Sequence, residues 1–160
     1  MDFTIRKIRP ADDPFMATII RESLTEYGVA GEGTAFADPS LDTLSFDYQD
    51  PRSCYFVVER KGTVIGGSGI APLRGGPADV CELQKMYLDR RARGQGIGKA
   101  LLKKCLDYAR EQGYVRCYLE TISILKEAIR MYEDSGFCFL DHRMGDTGHY
   151  SCPVFMIRDL

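Results

Sequence analysis

At 160 residues, with 44% hydrophobic and 28% charged side chains, the chain is sized for one domain with a real core, and its composition excludes a disordered polypeptide. A net charge of −2 and a pI near 5.7 give no general basic field for nucleic acid. No apolar stretch reaches the length of a membrane span, and the start, Met1-Asp2-Phe3-Thr4-Ile5-Arg6, lacks a signal-peptide apolar run, so a cytoplasmic protein with no membrane partner is expected.

Phe3, Ile5 and Ile8 predict a first strand, ended by Pro10. Asp12 or Asp13 offers an N-cap for a helix over about 14–25, with Phe15, Ile19, Ile20 and Leu24 as its apolar face. Residues 28–40, with Gly28, Gly31, Gly33 and Pro39, read as a mobile loop. A short helix over about 40–49 follows, with Leu41, Leu44, Phe46 and Tyr48 apolar and Ser40 as its cap. Cys54–Glu59 and Val64–Ile70 flank the turn Arg60–Thr63 and predict a hairpin. Gly66, Gly67 and Gly69 either weaken its second strand or let something pack close.

After a loop at 72–78, Val80–Leu88 reads as the next strand. Ile97, Leu101, Leu102, Cys105, Leu106 and Ala109 have helical spacing over 97–112, closed by Gly113. Val115–Thr121 is a fifth strand, and 125–135 a helix carrying Leu125, Ile129 and Tyr132 and ended by Gly136. Phe137–Leu140 and Val154–Ile157 are the last strands, joined by Asp141–Pro153. This order, an antiparallel meander feeding a crossover, predicts an α/β (α+β) domain on a mixed sheet. Without internal repeats or a linker long enough to divide it, residues 1–160 are expected to form one domain.

The six cysteines show no C-x-x-C pair and lie mostly among apolar residues, so reduced core thiols are expected. Cys138, His142, His149 and Cys152 are separated by three, six and two residues, which is not a common zinc spacing, and no metal is expected. His149 with Cys152 reads as a buried thiol beside a loop histidine rather than as a nucleophile pair.

The stretch Arg93-Gly94-Gln95-Gly96-Ile97-Gly98 turns from a strand into a helix, with Arg90, Arg91 and Lys99 around it. Backbone N–H groups and the positive dipole end at such a turn suit a phosphate. A Walker A loop fails, because Arg93 stands where its first Gly should be and Ala100 where Ser or Thr should be. A G-x-G-x-x-G dinucleotide loop fails because Lys99 and Leu101 occupy the third glycine's place in the two possible registers. What fits is [Q/R]-x-x-G-x-[G/A], with Arg93, Gly96 and Gly98 in the fixed places.

That loop, with Cys81–Leu88 before it and Leu119-Glu120-Thr121 and Ala128–Phe137 after it, resembles the GNAT acetyltransferase superfamily. The strong match spans about 80–137, and the opening Ile8-Arg9-Pro10-Ala11-Asp12 and the order of elements are similar too. The resemblance implies a mostly antiparallel sheet of six to seven strands with flanking helices and a splayed strand pair at the cofactor site. It implies acetyl-CoA as co-substrate, and direct transfer of its acetyl group to a primary amine of a small molecule or peptide. Met86, Tyr87 and Leu88 would pair through their backbones with the pantetheine arm like an added strand. Arg93, Gly94, Gln95, Gly96, Ile97, Gly98 and Lys99 would form the pyrophosphate turn.

Tyr132 matches the family's general acid, whose phenol would protonate the departing thiolate. An alkylammonium is free base to only about one part in a few thousand at neutral pH, so it must lose a proton, which a carboxylate near the splayed strands can take directly or through water. Glu82 and Glu120 each match a base position in part of the family. Leu125 stands where many relatives carry an Asn that touches the cofactor. The loops at about 28–40 and 141–153 would border the acceptor, with His149 as an acceptor-side residue. A homodimer is a family-level expectation. A non-catalytic acyl-CoA-binding module, and transfer of a different acyl group, are the alternatives.

Overall fold

The computed structural model describes residues 2–160. Its seven strands are β1 (Thr4–Lys7), β2 (Cys54–Arg60), β3 (Thr63–Pro72), β4 (Val80–Leu88), β5 (Arg116–Thr121), β6 (Cys138–Leu140) and β7 (Val154–Asp159). They form one sheet in the order β1-β2-β3-β4-β5-β7-β6. Every neighbouring pair is antiparallel except β4–β5. The α-helices are α1 (Asp13–Glu26), α2 (Ile97–Glu111) and α3 (Lys126–Asp134). The expected mixed, mostly antiparallel sheet with flanking helices is what the chain forms.

Both faces of the sheet are covered, which is why β2 reads as an unbroken apolar run rather than an alternation. Cys54, Phe56 and Val58 point to one side, into the core made with α2 and Tyr132 of α3. Tyr55 and Val57 point to the other, against α1 and the segment Leu41–Tyr48. α2 buries the stripe its spacing predicts: Ile97, Leu101, Leu102, Cys105, Leu106 and Ala109.

Several local expectations give way to longer-range bonds. Neither Asp12 nor Asp13 caps α1. The Asp12 carboxylate accepts from Arg6 and from the Arg9 N–H. Asp13 accepts from the N–H and hydroxyl of Ser45, at 2.8 and 2.7 Å, and fastens the 41–48 segment to α1. That segment is 3-10 helix kinked at Thr43, not a regular helix, and Ser40 donates to Asp47 at 2.6 Å instead of capping it. Phe15 is exposed, and the buried face of α1 is Met16, Ala17, Ile19, Ile20 and Leu24. The stretch read as a mobile loop contains a 3-10 turn at Ala35–Ala37. Leu125 lies just before α3 rather than in it. Five cysteines are buried; Cys138, on edge strand β6, is exposed.

The glycines of β3 do let something pack close. A Cβ at Gly67 would come within 2.5 Å of the Tyr55 ring, and one at Gly69 within 2.6 Å of the Tyr48 ring. Through these notches the two phenols reach β4. The Tyr55 hydroxyl donates to the Lys85 carbonyl at 2.7 Å, and the Tyr48 hydroxyl donates to Gln84 Oε1 at 2.7 Å. Between them β4 bulges: Gly69 faces Gln84 and Gly67 faces Tyr87, so β4 carries one residue more than β3. Lys85 takes φ 48° to make it.

Ala substitution at Gly67 or Gly69 is expected to destabilise the fold by about 1–3 kcal/mol through overpacking, read as a lower denaturant midpoint. Gly31, where a Cβ would meet nothing within 4 Å, is the neutral control.

Candidate active site

β4 and β5 pair only at Val80–Arg116, Cys81–Cys117 and Glu82–Tyr118. Past the bulge β4 follows β3 as far as Leu88, while β5 follows β7 to Thr121. The two strands splay, and the β5-side edge of Met86, Tyr87 and Leu88 has no strand beside it. A cleft of about 270 Å³ opens there, lined by those three residues, by Gly94, Gly96, Gly98 and Lys99 of the glycine turn, and by Leu125, Met131 and Tyr132.

The turn is built for main-chain donors. A 3-10 turn at Arg90–Ala92, capped by the Asp89 carboxylate accepting from the Arg91 N–H, leads out of β4. Gly94 and Gly96 have φ of 73° and 78°, and a Cβ at either would meet open space, so backbone conformation rather than crowding calls for glycine there. Among the described residues none accepts from the N–H groups of Gly94 through Lys99; Ala100 is the first to find a carbonyl, that of Gly96. The Gln95 side chain braces the turn, accepting from Arg60 at 2.9 Å and donating to the Arg91 carbonyl at 2.8 Å.

The Arg93 guanidinium is committed elsewhere: to the Leu88 carbonyl, Glu26, Tyr27 and Ser23. It ties the turn to α1 and does not face the cleft as a free cation.

Tyr132 is buried edge-on against Phe137, with ring centroids 5.8 Å apart. Burial holds its phenol above the usual range, so it stays protonated. Its hydroxyl has no hydrogen-bond partner among the described residues, yet it is not sealed from solvent. Glu82 alternates with Cys81 and Leu83, which sit in the same core as Tyr132, so its carboxylate is on the opposite face of the sheet.

Glu82 is 5% exposed, and burial pushes its carboxyl up to about 6 against the donation of Gln84 Nε2 to Oε1 at 2.6 Å. Its Oε2 has no partner and retains contact with solvent. Glu120 differs. The Tyr118 hydroxyl donates to Oε2 at 2.6 Å, Arg143 approaches the same oxygen at 3.3 Å, and the Thr147 hydroxyl donates to Oε1.

The loops at 28–40 and 141–153 meet on this face. The Ser151 N–H donates to the Gly33 carbonyl at 3.0 Å. His149 Nε2 sits 3.1 Å from both oxygens of Asp38, whose other partner is Lys85 Nζ at 3.0 Å. His149 is thus brought beside the bulge, on the same side as Glu82. Cys152 next to it is buried, and its thiol is pushed up to about 11. Among the described residues no group of three or more His, Cys, Asp or Glu is placed to hold a metal ion, and no helix is long and apolar enough to cross a membrane.

Sequence reading missed Gln84, Asp38 as the partner of His149, and the hydroxyl of Tyr48. Period-two alternation from Glu82 would have put Gln84 on the same face; nothing local marks the other two.

A splayed sheet with a donor-lined turn at its mouth is the arrangement that comparison with known proteins identifies as an acyltransferase fold. The family model described as Acetyltransferase (GNAT) family matches residues 17–137, and the chain belongs to that family. The Escherichia coli K12 protein named Uncharacterized N-acetyltransferase YjgM is 48% identical over 157 residues, which is 98% of this chain and 94% of that protein. A GNAT-family acetyltransferase from Staphylococcus aureus Mu50 has the same fold, at TM-score 0.87 and 21% identity over 99% of both chains. So does yncA of Salmonella typhimurium, a putative acetyltransferase solved with its cofactor acetyl-CoA, at TM-score 0.78 and 21% identity over 100% of this chain and 95% of the other.

Arg93→Ala removes the tie among turn, β4 and α1. An expected loss of about 1–3 kcal/mol, typical of a broken part-buried charged network, would appear as a lower melting temperature without any ligand.

Proposed function

We propose that the chain transfers the acetyl group of acetyl-CoA directly to a primary amine of a small molecule or peptide. The observation that carries this reading is the run of unclaimed N–H donors from Gly94 to Lys99, opening onto a wedge with the Tyr132 hydroxyl on one face of the sheet and the Glu82 carboxylate on the other. The donor turn suits a pyrophosphate, and the unpaired β4 edge at Met86–Leu88 suits an extended amide-bearing arm. Acetyl-CoA in the yncA structure supports the choice of donor.

Glu82 is the better base. Its Oε2 is free, and its carboxyl, at about 6, is ionised at neutral pH yet basic enough to take a proton. Glu120, with both oxygens engaged, serves instead to hold Tyr118 and the loop residues Arg143 and Thr147. The ammonium proton passes to Glu82, directly or through one water. The amine nitrogen then attacks the thioester carbonyl, and the nitrogen of the resulting tetrahedral adduct gives up its second proton to solvent. As the carbon–sulfur bond breaks, the thiolate takes the Tyr132 proton, and solvent returns one to the phenolate. Cys152, held protonated at neutral pH, is unsuited to an acyl-enzyme route. His149, on the same side, borders the acceptor.

Isothermal titration with coenzyme A tests the turn: binding is expected, and absence of heat would sink the proposal. With acetyl-CoA and a panel of amines read by thiol release, Tyr132→Phe should lower kcat by about 10²–10⁴-fold, the range for general acid catalysis, with coenzyme A binding unchanged. Unchanged turnover would remove Tyr132 from the mechanism. Propionyl- and succinyl-CoA in the same assay test whether the donor is larger than acetyl.

A Glu82 carboxyl lifted to about 6 is protonated below that pH and inactive as a base. Log kcat/KM should therefore fall with unit slope below about pH 6, and Glu82→Gln should abolish that limb along with most of the rate.

A further inference from the structure

We infer that Tyr48 and Gln84 are positioning residues that set the ionisation and the aim of Glu82, a role that rests on Glu82 being the base. The chain of bonds is continuous. The Tyr48 hydroxyl donates to Gln84 Oε1 at 2.7 Å, and Gln84 Nε2 donates to Glu82 Oε1 at 2.6 Å. Each link constrains the next. Tyr48 is buried, its phenol held well above the usual range by burial, so the hydroxyl keeps its proton to donate. An amide accepting that proton on its oxygen must turn its NH2 to Glu82. The opposite amide orientation would set two oxygens face to face at the carboxylate.

The relay has structural provision made for it. The Tyr48 ring lies across β3 in the notch at Gly69, where any side chain would collide with it. The ring also packs against Tyr55, with centroids 5.2 Å apart, so its position is fixed from both sides. With Oε1 held by Gln84, Glu82 presents Oε2 as its one free acceptor.

Other groups act on the same carboxylate. Lys85 of β4, Tyr48 of the 41–48 segment, Cys117, Tyr118 and Glu120 of β5, and His149 and Cys152 of the late loop all lie within electrostatic reach. Among these influences the Gln84 amide is the hydrogen-bond donor to Glu82. A donor bonded to a carboxylate favours its charged form. Losing it raises the pH at which Glu82 ionises and leaves both oxygens free to wander.

The test is a carboxyl ¹³C NMR titration of the full chain labelled at glutamate δ-carbons, with Glu82→Gln assigning the Glu82 signal, alongside the pH dependence of kcat/KM. Gln84→Leu should move the Glu82 midpoint up by about one unit, the worth of one hydrogen bond to a charged group. Tyr48→Phe keeps the ring in its notch and should move the midpoint the same way by less. Gln84→Glu should turn one titration step into two, as adjoining carboxyls share a proton. In each variant the acid limb of kcat/KM should track the NMR midpoint. Midpoints that stay at the wild-type value in both Gln84→Leu and Tyr48→Phe would overturn the relay, whatever happens to kcat. An acid limb that survives in Glu82→Gln would instead overturn Glu82 as the base, a separate failure, because the NMR midpoints read the relay without turnover.

Discussion

The bond from the Tyr55 hydroxyl to the Lys85 carbonyl holds the feature on which the site depends. A lysine in the left-handed region costs about 1–2 kcal/mol, and a buried hydrogen bond of this kind contributes about 1 kcal/mol, so one tyrosine nearly offsets the strain. What the strain produces is an extra residue in β4. Before it, β4 is a central strand flanked by β3 and β5. After it, β4 keeps only β3 and turns an unpaired edge toward the cleft. The wedge is therefore a property of backbone register, present before any ligand arrives. Because a bulge also re-aims side chains, the same event separates Glu82 and Gln84 on one stretch of β4 from Met86–Leu88 on the next.

Glycine has two different uses within thirty residues of chain. In β3 the glycines at 67 and 69 matter for the volume they leave, which two tyrosine rings fill. At the start of α2 the glycines at 94 and 96 matter for positive φ, with nothing nearby to crowd them. The first use builds the wedge and the second aims donors into its mouth. They also fail differently on substitution: the first through collision in the core, the second through backbone strain at an exposed turn.

What could be read from the sequence was local and periodic. The stripe of α2, the positive-φ turn before it and the hairpin of β2 and β3 are written in residues a few positions apart, and all formed as expected. Where a polar side chain had a choice of partners the reading went astray. Asp13 and Ser40 have the chemistry of helix caps, but Ser45 and Asp47 supply other partners that only the folded chain brings near. Tyr48 reads as an apolar residue of its segment; its ring is core, while its hydroxyl answers to Gln84, thirty-six residues away. Phe15 fits a helical stripe by spacing, yet the neighbouring Met16 holds the buried place. The glycine triplet showed that something must approach β3, and the identity of the visitor lay outside the strand.

Two carboxylates one strand apart end in different roles because their surroundings divide the work. Glu120 is met on both oxygens by Tyr118, Arg143 and Thr147, which ties it to β5 and the late loop. Asp38 is likewise compensated by Lys85, with His149 hydrogen-bonded to it. With those charges compensated, Glu82 is left as the carboxylate with an open oxygen and a single neutral donor. A fully paired Glu82 would be too weak a base, and one with no donor would ionise only at a higher pH, because burial disfavours its charge. One amide bond holds it between those limits, where a proton can be both taken and released.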